Sequence, residues 1–153
     1  MADQGEQAPN SAFTLADGSS TSISAYQGKK LVLYFYPKDD TPGCTKEAQG
    51  FTEHAAEFEA AGAVVVGISK DSVKSHAKFI GKYDLAIALG SDESGGVCEA
   101  FGVWVEKSMY GKSYMGIERA TFLIDANGKI AKVWRKVKVP GHVAEVLDAV
   151  KAL

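Results

Sequence analysis

The stretch Tyr34 to Phe51, YFYPKDDTPGCTKEAQGF, decides the fold. It opens inside a continuous apolar run, Leu31 to Tyr36 (LVLYFY). Such a run, rich in β-formers, fits a strand covered on both faces. Pro37 ends it, and Lys38-Asp39-Asp40 make a polar turn. Thr41 then stands where a helix N-cap belongs, with Pro42 at the first helical position, which suits proline. On that count Cys44 is the third helical residue. Ala48, Phe51, Ala55 and Phe58 follow at spacings of three and four, the face that packs on a sheet. The stretch therefore predicts a buried strand, a tight turn and a helix over 42–61 whose first turn carries a cysteine.

The flanking sequence extends this pattern. Phe13 to Ile23 reads as a hairpin turning at Asp17-Gly18. Ala63 to Ile68 (AVVVGI) and Leu85 to Leu89 (LAIAL) are two more buried strands. A second helix runs over 72–82, capped by Asp71 or Ser72. Ile117 to Asp125 and Lys129 to Val139 flank Asn127-Gly128, a strong hairpin signal. Beyond Pro140-Gly141, the residues Val143, Val146, Leu147, Val150 and Leu153 give a final amphipathic helix. A short helix is expected near Cys98, and an irregular surface loop over 101–116. A β-α-β unit followed by β-β-α is the thioredoxin-like order. We expect an α/β chain, one domain over 1–153, with a central mixed sheet flanked by helices and an N-terminal β-hairpin extension.

Composition narrows the function classes. The 153 residues are 46% hydrophobic and 24% charged, enough for one core without a metal or disulfide staple. With 17 basic and 19 acidic residues and no run of like charge, neither nucleic acid nor an anionic membrane is an expected partner. No segment has the length of a transmembrane helix, and MADQGEQAPNS lacks an apolar signal core, so the expected location is cytoplasmic. Two cysteines do not make a disulfide framework. His54, His76 and His142 lack zinc-site spacing and are read as helix-surface residues. There is no phosphate-binding glycine loop.

Cys44 has a physical reason to be reactive. The first backbone N–H groups of a helix lack internal partners, and the helix dipole adds positive charge there. Both favour a thiolate, the form that attacks an O–O bond and leaves a sulfenic acid. A lone cysteine is otherwise often a small buried hydrophobe. Arg119, in IERATFLID, is a fixed fork of donors within an apolar strand and asks for an anionic partner. That partner is the reacting sulfur or Glu47 in a structural ion pair, unless Arg119 is an exposed edge-strand residue.

The spacing of Pro37, Thr41 and Cys44 resembles the active-site motif of the peroxiredoxins. Thr41-Pro42-Gly43-Cys44-Thr45 with Glu47 is similar to the Q-type group, also called bacterioferritin comigratory proteins. The resemblance runs from about Gly5 to the C-terminus. It implies a thiol-dependent peroxidase acting on hydrogen peroxide and organic hydroperoxides, without metal, haem or flavin cofactor. It implies Cys44 as peroxidatic cysteine, Thr41 bonding the peroxide, Pro37 shielding the sulfur, Arg119 holding sulfur and peroxide oxygens, and Glu47 orienting Arg119. It also implies a monomer.

Many Q-type members carry a resolving cysteine five residues after the peroxidatic one; here Gln49 stands there. The remaining thiol, Cys98, has three readings: an inert helix residue, a partner in a Cys44–Cys98 disulfide after local unfolding, or a bystander while an external thiol resolves Cys44. The first and third together are favoured, with thioredoxin, glutaredoxin or glutathione as reducing partner. The rivals are a thiol–disulfide exchange protein, opposed by Glu47 where a second motif cysteine would be, and a non-enzymatic peroxide sensor.

Overall fold

The computed structural model describes residues 2–153. The chain opens with the hairpin β1 (Ala12–Leu15) and β2 (Ser20–Ser22), closed by Asp17 and Gly18 as expected. A 3₁₀ turn over Ile23–Tyr26 leads to β3 (Lys30–Phe35). Then come α1 (Pro42–Glu53), α2 (Ala55–Ala60) and β4 (Ala63–Ser69). Next are α3 (Val73–Tyr83), β5 (Ala88–Ser91) and α4 (Gly96–Ala100). The chain ends with β6 (Trp104–Met109), β7 (Lys112–Ile117), β8 (Ala120–Ile124), β9 (Ile130–Trp134) and α5 (His142–Ala152).

Seven strands form one mixed sheet in the order β2-β1-β5-β4-β3-β8-β9. β3, β4 and β5 are parallel, as βαβ connections require, while β8 runs antiparallel to β3 and β9 to β8. This is the expected thioredoxin-like fold with its hairpin extension. β3 lies centrally, and its side chains alternate between two cores. Leu31, Leu33 and Phe35 join one, with Val97, Cys98 and Phe101. Val32, Tyr34 and Tyr36 join the other, with Cys44, Phe51, Phe58, Phe79 and Val146. The sheet thus separates the two cysteines.

Tyr34 stacks on Phe51 of α1, ring centroids 4.7 Å apart. Its ring also lies over its register partner Gly67 in β4. A Cβ at Gly67 would stand 2.6 Å from Tyr34 Cζ, so only glycine fits beneath the ring.

Three expectations need correction. The helix over 42–61 is two helices, because His54 (φ −101°, ψ 12°) leaves the helical region; Phe58 of α2 still packs on Phe51, with centroids 5.7 Å apart. The strand expected at 85–89 lies later, at Ala88–Ser91, with Leu85 and Ile87 buried ahead of it. The loop expected over 101–116 contains the β6–β7 hairpin. Its turn is Tyr110-Gly111, both left-handed (φ 52° and 78°), as a two-residue hairpin turn demands.

Candidate active site

α1 starts at Pro42, so Cys44 is the third helical residue, with its side chain buried between α1 and the sheet. Arg119 comes from the segment just ahead of β8, not from inside the strand as expected. Its Nη2 donates to Cys44 Sγ at 3.3 Å, and its Nη1 donates to Glu47 Oε1 at 2.6 Å. Cys44 and Glu47 lie one turn apart on the same helix face, so one guanidinium spans both. The two readings of Arg119 hold together: it pairs with Glu47 and faces the sulfur. Gly43 permits this approach, since a Cβ there would come within 3.3 Å of Arg119 Nη2.

Burial works against the charge of Arg119, but Glu47 and Cys44 outweigh it and raise its pKa. Glu47 is fully buried; burial pushes its carboxyl up to about 7, while Arg119 pulls in the opposite direction. Its Oε2 and the Tyr34 hydroxyl are, among the described residues, the two buried side-chain polar atoms without a hydrogen-bond partner. Each such atom costs about 1–3 kcal/mol, a cost that stability alone does not explain. Burial, and then the nearby Glu47 and Cys44, keep the Tyr34 phenol neutral. Lys107 on β6 adds a second cation, its amine lowered by burial and by Arg119.

Thr41 holds the N-cap position with extended backbone, but its side chain makes no cap bond. The hydroxyl turns back and donates to the Lys38 carbonyl at 2.9 Å. The first turn of α1 therefore receives no cap bond from the Thr41 side chain. A helix start and an arginine fork converging on one buried sulfur form an environment suited to an anion. Pro37 lies two residues beyond β3 and is exposed, as is Gln49 on α1.

The histidines depart from expectation. His54 is half-buried and its Nδ1 lies 2.9 Å from Glu57 Oε1. His76 and His142 are not surface residues. His76 is fully buried, with Nδ1 2.7 Å from Asp39 Oδ2 and Nε2 2.9 Å from the Gly90 carbonyl. His142 is buried with Nε2 2.8 Å from Thr121 Oγ1, and burial lowers its pKa to about 4. Helical spacing carried the signal: His76 stands three residues from both Val73 and Phe79, and His142 four before Val146. Asp39, Asp71 and His76 bring ligand atoms within 4.8 Å of one another. Those atoms already bond one another and neighbouring hydroxyls, so the group is a hydrogen-bond network.

Cys98 is the third residue of α4 and fully buried. Burial, then the adjacent Asp92 carboxylate, raise its thiol far above the ordinary cysteine value.

A thioredoxin-like sheet that presents an arginine-held cysteine at a helix start defines a thiol peroxidase. The chain belongs to the AhpC/TSA family, whose model matches residues 4–133. More narrowly, it falls in the peroxiredoxin Q, or Bcp, group. It is 55% identical over 143 residues to the putative peroxiredoxin bcp of Coxiella burnetii, covering 94% of this chain and 95% of that one. It is 48% identical over 147 residues to the peroxiredoxin Bcp of Bacillus subtilis, covering 96% and 94%. Among solved structures, the Xanthomonas campestris bacterioferritin comigratory protein, studied for alkyl peroxide reduction, superposes with a TM-score of 0.89 at 48% identity, covering 93% of this chain and 90% of that one. A cysteine-to-serine mutant of Xylella fastidiosa PrxQ gives a TM-score of 0.94 at 42% identity, covering 99% and 97%.

Proposed function

We propose that this peroxidase reduces hydrogen peroxide and organic hydroperoxides through Cys44 in a one-cysteine cycle. The Cys44 thiolate attacks one peroxide oxygen and the O–O bond breaks. The sulfur becomes a sulfenic acid, and the second oxygen leaves with a proton as water or an alcohol. The observation that carries the reading is Arg119 donating to Cys44 Sγ at 3.3 Å while Glu47 fixes its other end. A guanidinium so held needs no reorganisation to stabilise charge moving onto the leaving oxygen. In this reading Thr41 turns its hydroxyl to the peroxide, Pro37 covers the mouth of the site, and Glu47 orients Arg119. A hydrocarbon-bearing substrate is in keeping with the alkyl peroxide activity of the Xanthomonas relative.

An external thiol then reduces the sulfenic acid, a first thiol forming a mixed disulfide with loss of water and a second releasing Cys44. Supporting this, Cys98 lies in the core on the opposite face of the sheet from Cys44, and its thiol resists ionisation. A Cys44–Cys98 disulfide would require melting both cores. The reductant is a small dithiol protein or glutathione, and the enzyme works as a cytoplasmic monomer built as one domain. No helix among the described residues is long and apolar enough to cross a membrane.

Intact-mass measurement after one equivalent of peroxide tests the cycle. A dimedone adduct on both wild type and Cys98→Ser is expected. Loss of two mass units in wild type alone would overturn it in favour of the internal disulfide.

A further inference from the structure

The turn that delivers Thr41 and Cys44 is tied to the body of the fold by a buried polar cluster that the chemistry above does not use. Asp39, two residues before Thr41, is 8% exposed. Its carboxylate accepts hydrogen bonds from Tyr36 Oη at 2.6 Å, Ser75 Oγ at 2.7 Å and His76 Nδ1 at 2.7 Å. Its backbone N–H donates to Asp71 Oδ2 at 2.9 Å, an oxygen that also accepts from Ser69 Oγ at 2.7 Å. The other His76 nitrogen faces the Gly90 carbonyl at 2.9 Å. Despite its burial, Asp39 is held below the usual carboxylate range by these donors, His76 first. Both ring nitrogens of His76 thus face an acceptor oxygen inside the fold.

The network joins the turn to the end of β4 through Ser69 and Asp71, to α3 through Ser75 and His76, and to β5 through Gly90. The rest of the turn has weaker anchors. Lys38 is exposed, and Asp40, at left-handed φ 58°, accepts from the Tyr83 hydroxyl and pairs with Lys82 at 2.7 Å, both at the exposed surface. Exposed pairs contribute little. Removing one member of the Asp39–His76 contact leaves the other a buried polar group without its partner, which is costly.

We propose that Asp39 and His76 are positioning residues whose buried hydrogen-bonded contact holds the first turn of α1 closed around Cys44 and thereby sets the balance between the two half-reactions. This rests on the one-cysteine reading above. Peroxide attack needs the closed turn, with the sulfur beside Arg119. Reduction by an external thiol needs it open, because Cys44 is only 2% exposed. Neither Asp39 nor His76 touches the reacting atoms; both act through the backbone of the turn.

The test measures each half-reaction separately in His76→Phe and Asp39→Asn. Sulfenic acid formation is followed with hydrogen peroxide by quenched dimedone labelling, and reduction of preformed sulfenic acid with glutathione as probe. Oxidation should slow by about 10-fold or more, the usual scale for a displaced reacting group, while reduction stays the same or quickens. A folded variant that oxidises at the wild-type rate, or in which both half-reactions fall by the same factor, overturns the proposal. Should neither variant fold, Ser75→Ala removes one bond to the same carboxylate and must split the rates in the same direction; an unchanged oxidation rate sinks the idea. Absence of Cys44 oxidation in the wild type would instead overturn the function assigned above.

Discussion

Cys44 and Cys98 occupy the same place in two helices and have opposite surroundings. Each is the third residue of its helix, and each is buried, at 2% and 0% exposure. The difference lies in what stands at the helix start. In α4 the carboxylate of Asp92 takes the N–H groups of Val97 and Cys98, at 3.1 and 2.8 Å. The donors that could welcome a thiolate are thereby used, and a negative charge is placed beside the sulfur. In α1 no side chain caps the first turn, and Arg119 brings a positive charge. On the proposed cycle, the sign of the nearest partner, and not the helix N-terminus alone, separates the two sulfurs.

The strongest way to break this comparison is to exchange the cysteines' roles. Cys44→Ser should abolish peroxide consumption with a thiol reductant, while Cys98→Ser should leave steady-state turnover at the wild-type level. Retained activity in the first variant would overturn the comparison. Next in size, Arg119→Ala should slow Cys44 oxidation by about 10²–10³-fold, the usual loss for a preorganised charge stabiliser. Arg119→Lys should recover little, because one ammonium cannot reach sulfur and Glu47 together. Single-turnover rates of sulfenic acid formation decide this. Smaller again, Asp92→Ala removes the cap of α4 and should cost about 1–2 kcal/mol in urea unfolding, with peroxidase activity intact.

A last effect concerns pH. Burial lowers His142 to about 4 in the folded state against an ordinary 6.5. As pH falls below about 6.5 the unfolded chain takes up the proton first, so stability is lost between there and about 4. His142→Gln should flatten that loss relative to wild type when unfolding midpoints are compared from pH 7 to pH 4. Parallel curves would remove His142 from the account.

Much of this was legible in the chain. The continuous apolar run LVLYFY forms the central strand, and the Pro42 start of α1 fixes Cys44 at its third position. What escaped reading depends on partners distant in sequence. The polar Lys112–Ile117 strand shows no apolar alternation, and Tyr110-Gly111 is not a common hairpin pair, so the β6–β7 hairpin had no signature. The two buried histidines sit on apolar helix faces, but Asp39 and Thr121, which satisfy them, lie 37 and 21 residues away. Nothing in the sequence around Asp92 marks it as the acceptor for the N–H groups of Val97 and Cys98.

Gly67 carries a consequence for how this enzyme tolerates change. Its bare α-carbon is the floor on which the Tyr34 ring lies, and that ring supports the underside of α1 through Phe51. A methyl group at Gly67 would act as a wedge, lifting the ring into the helix that carries Cys44. The neighbouring strand is therefore under a spatial constraint imposed by chemistry it never touches.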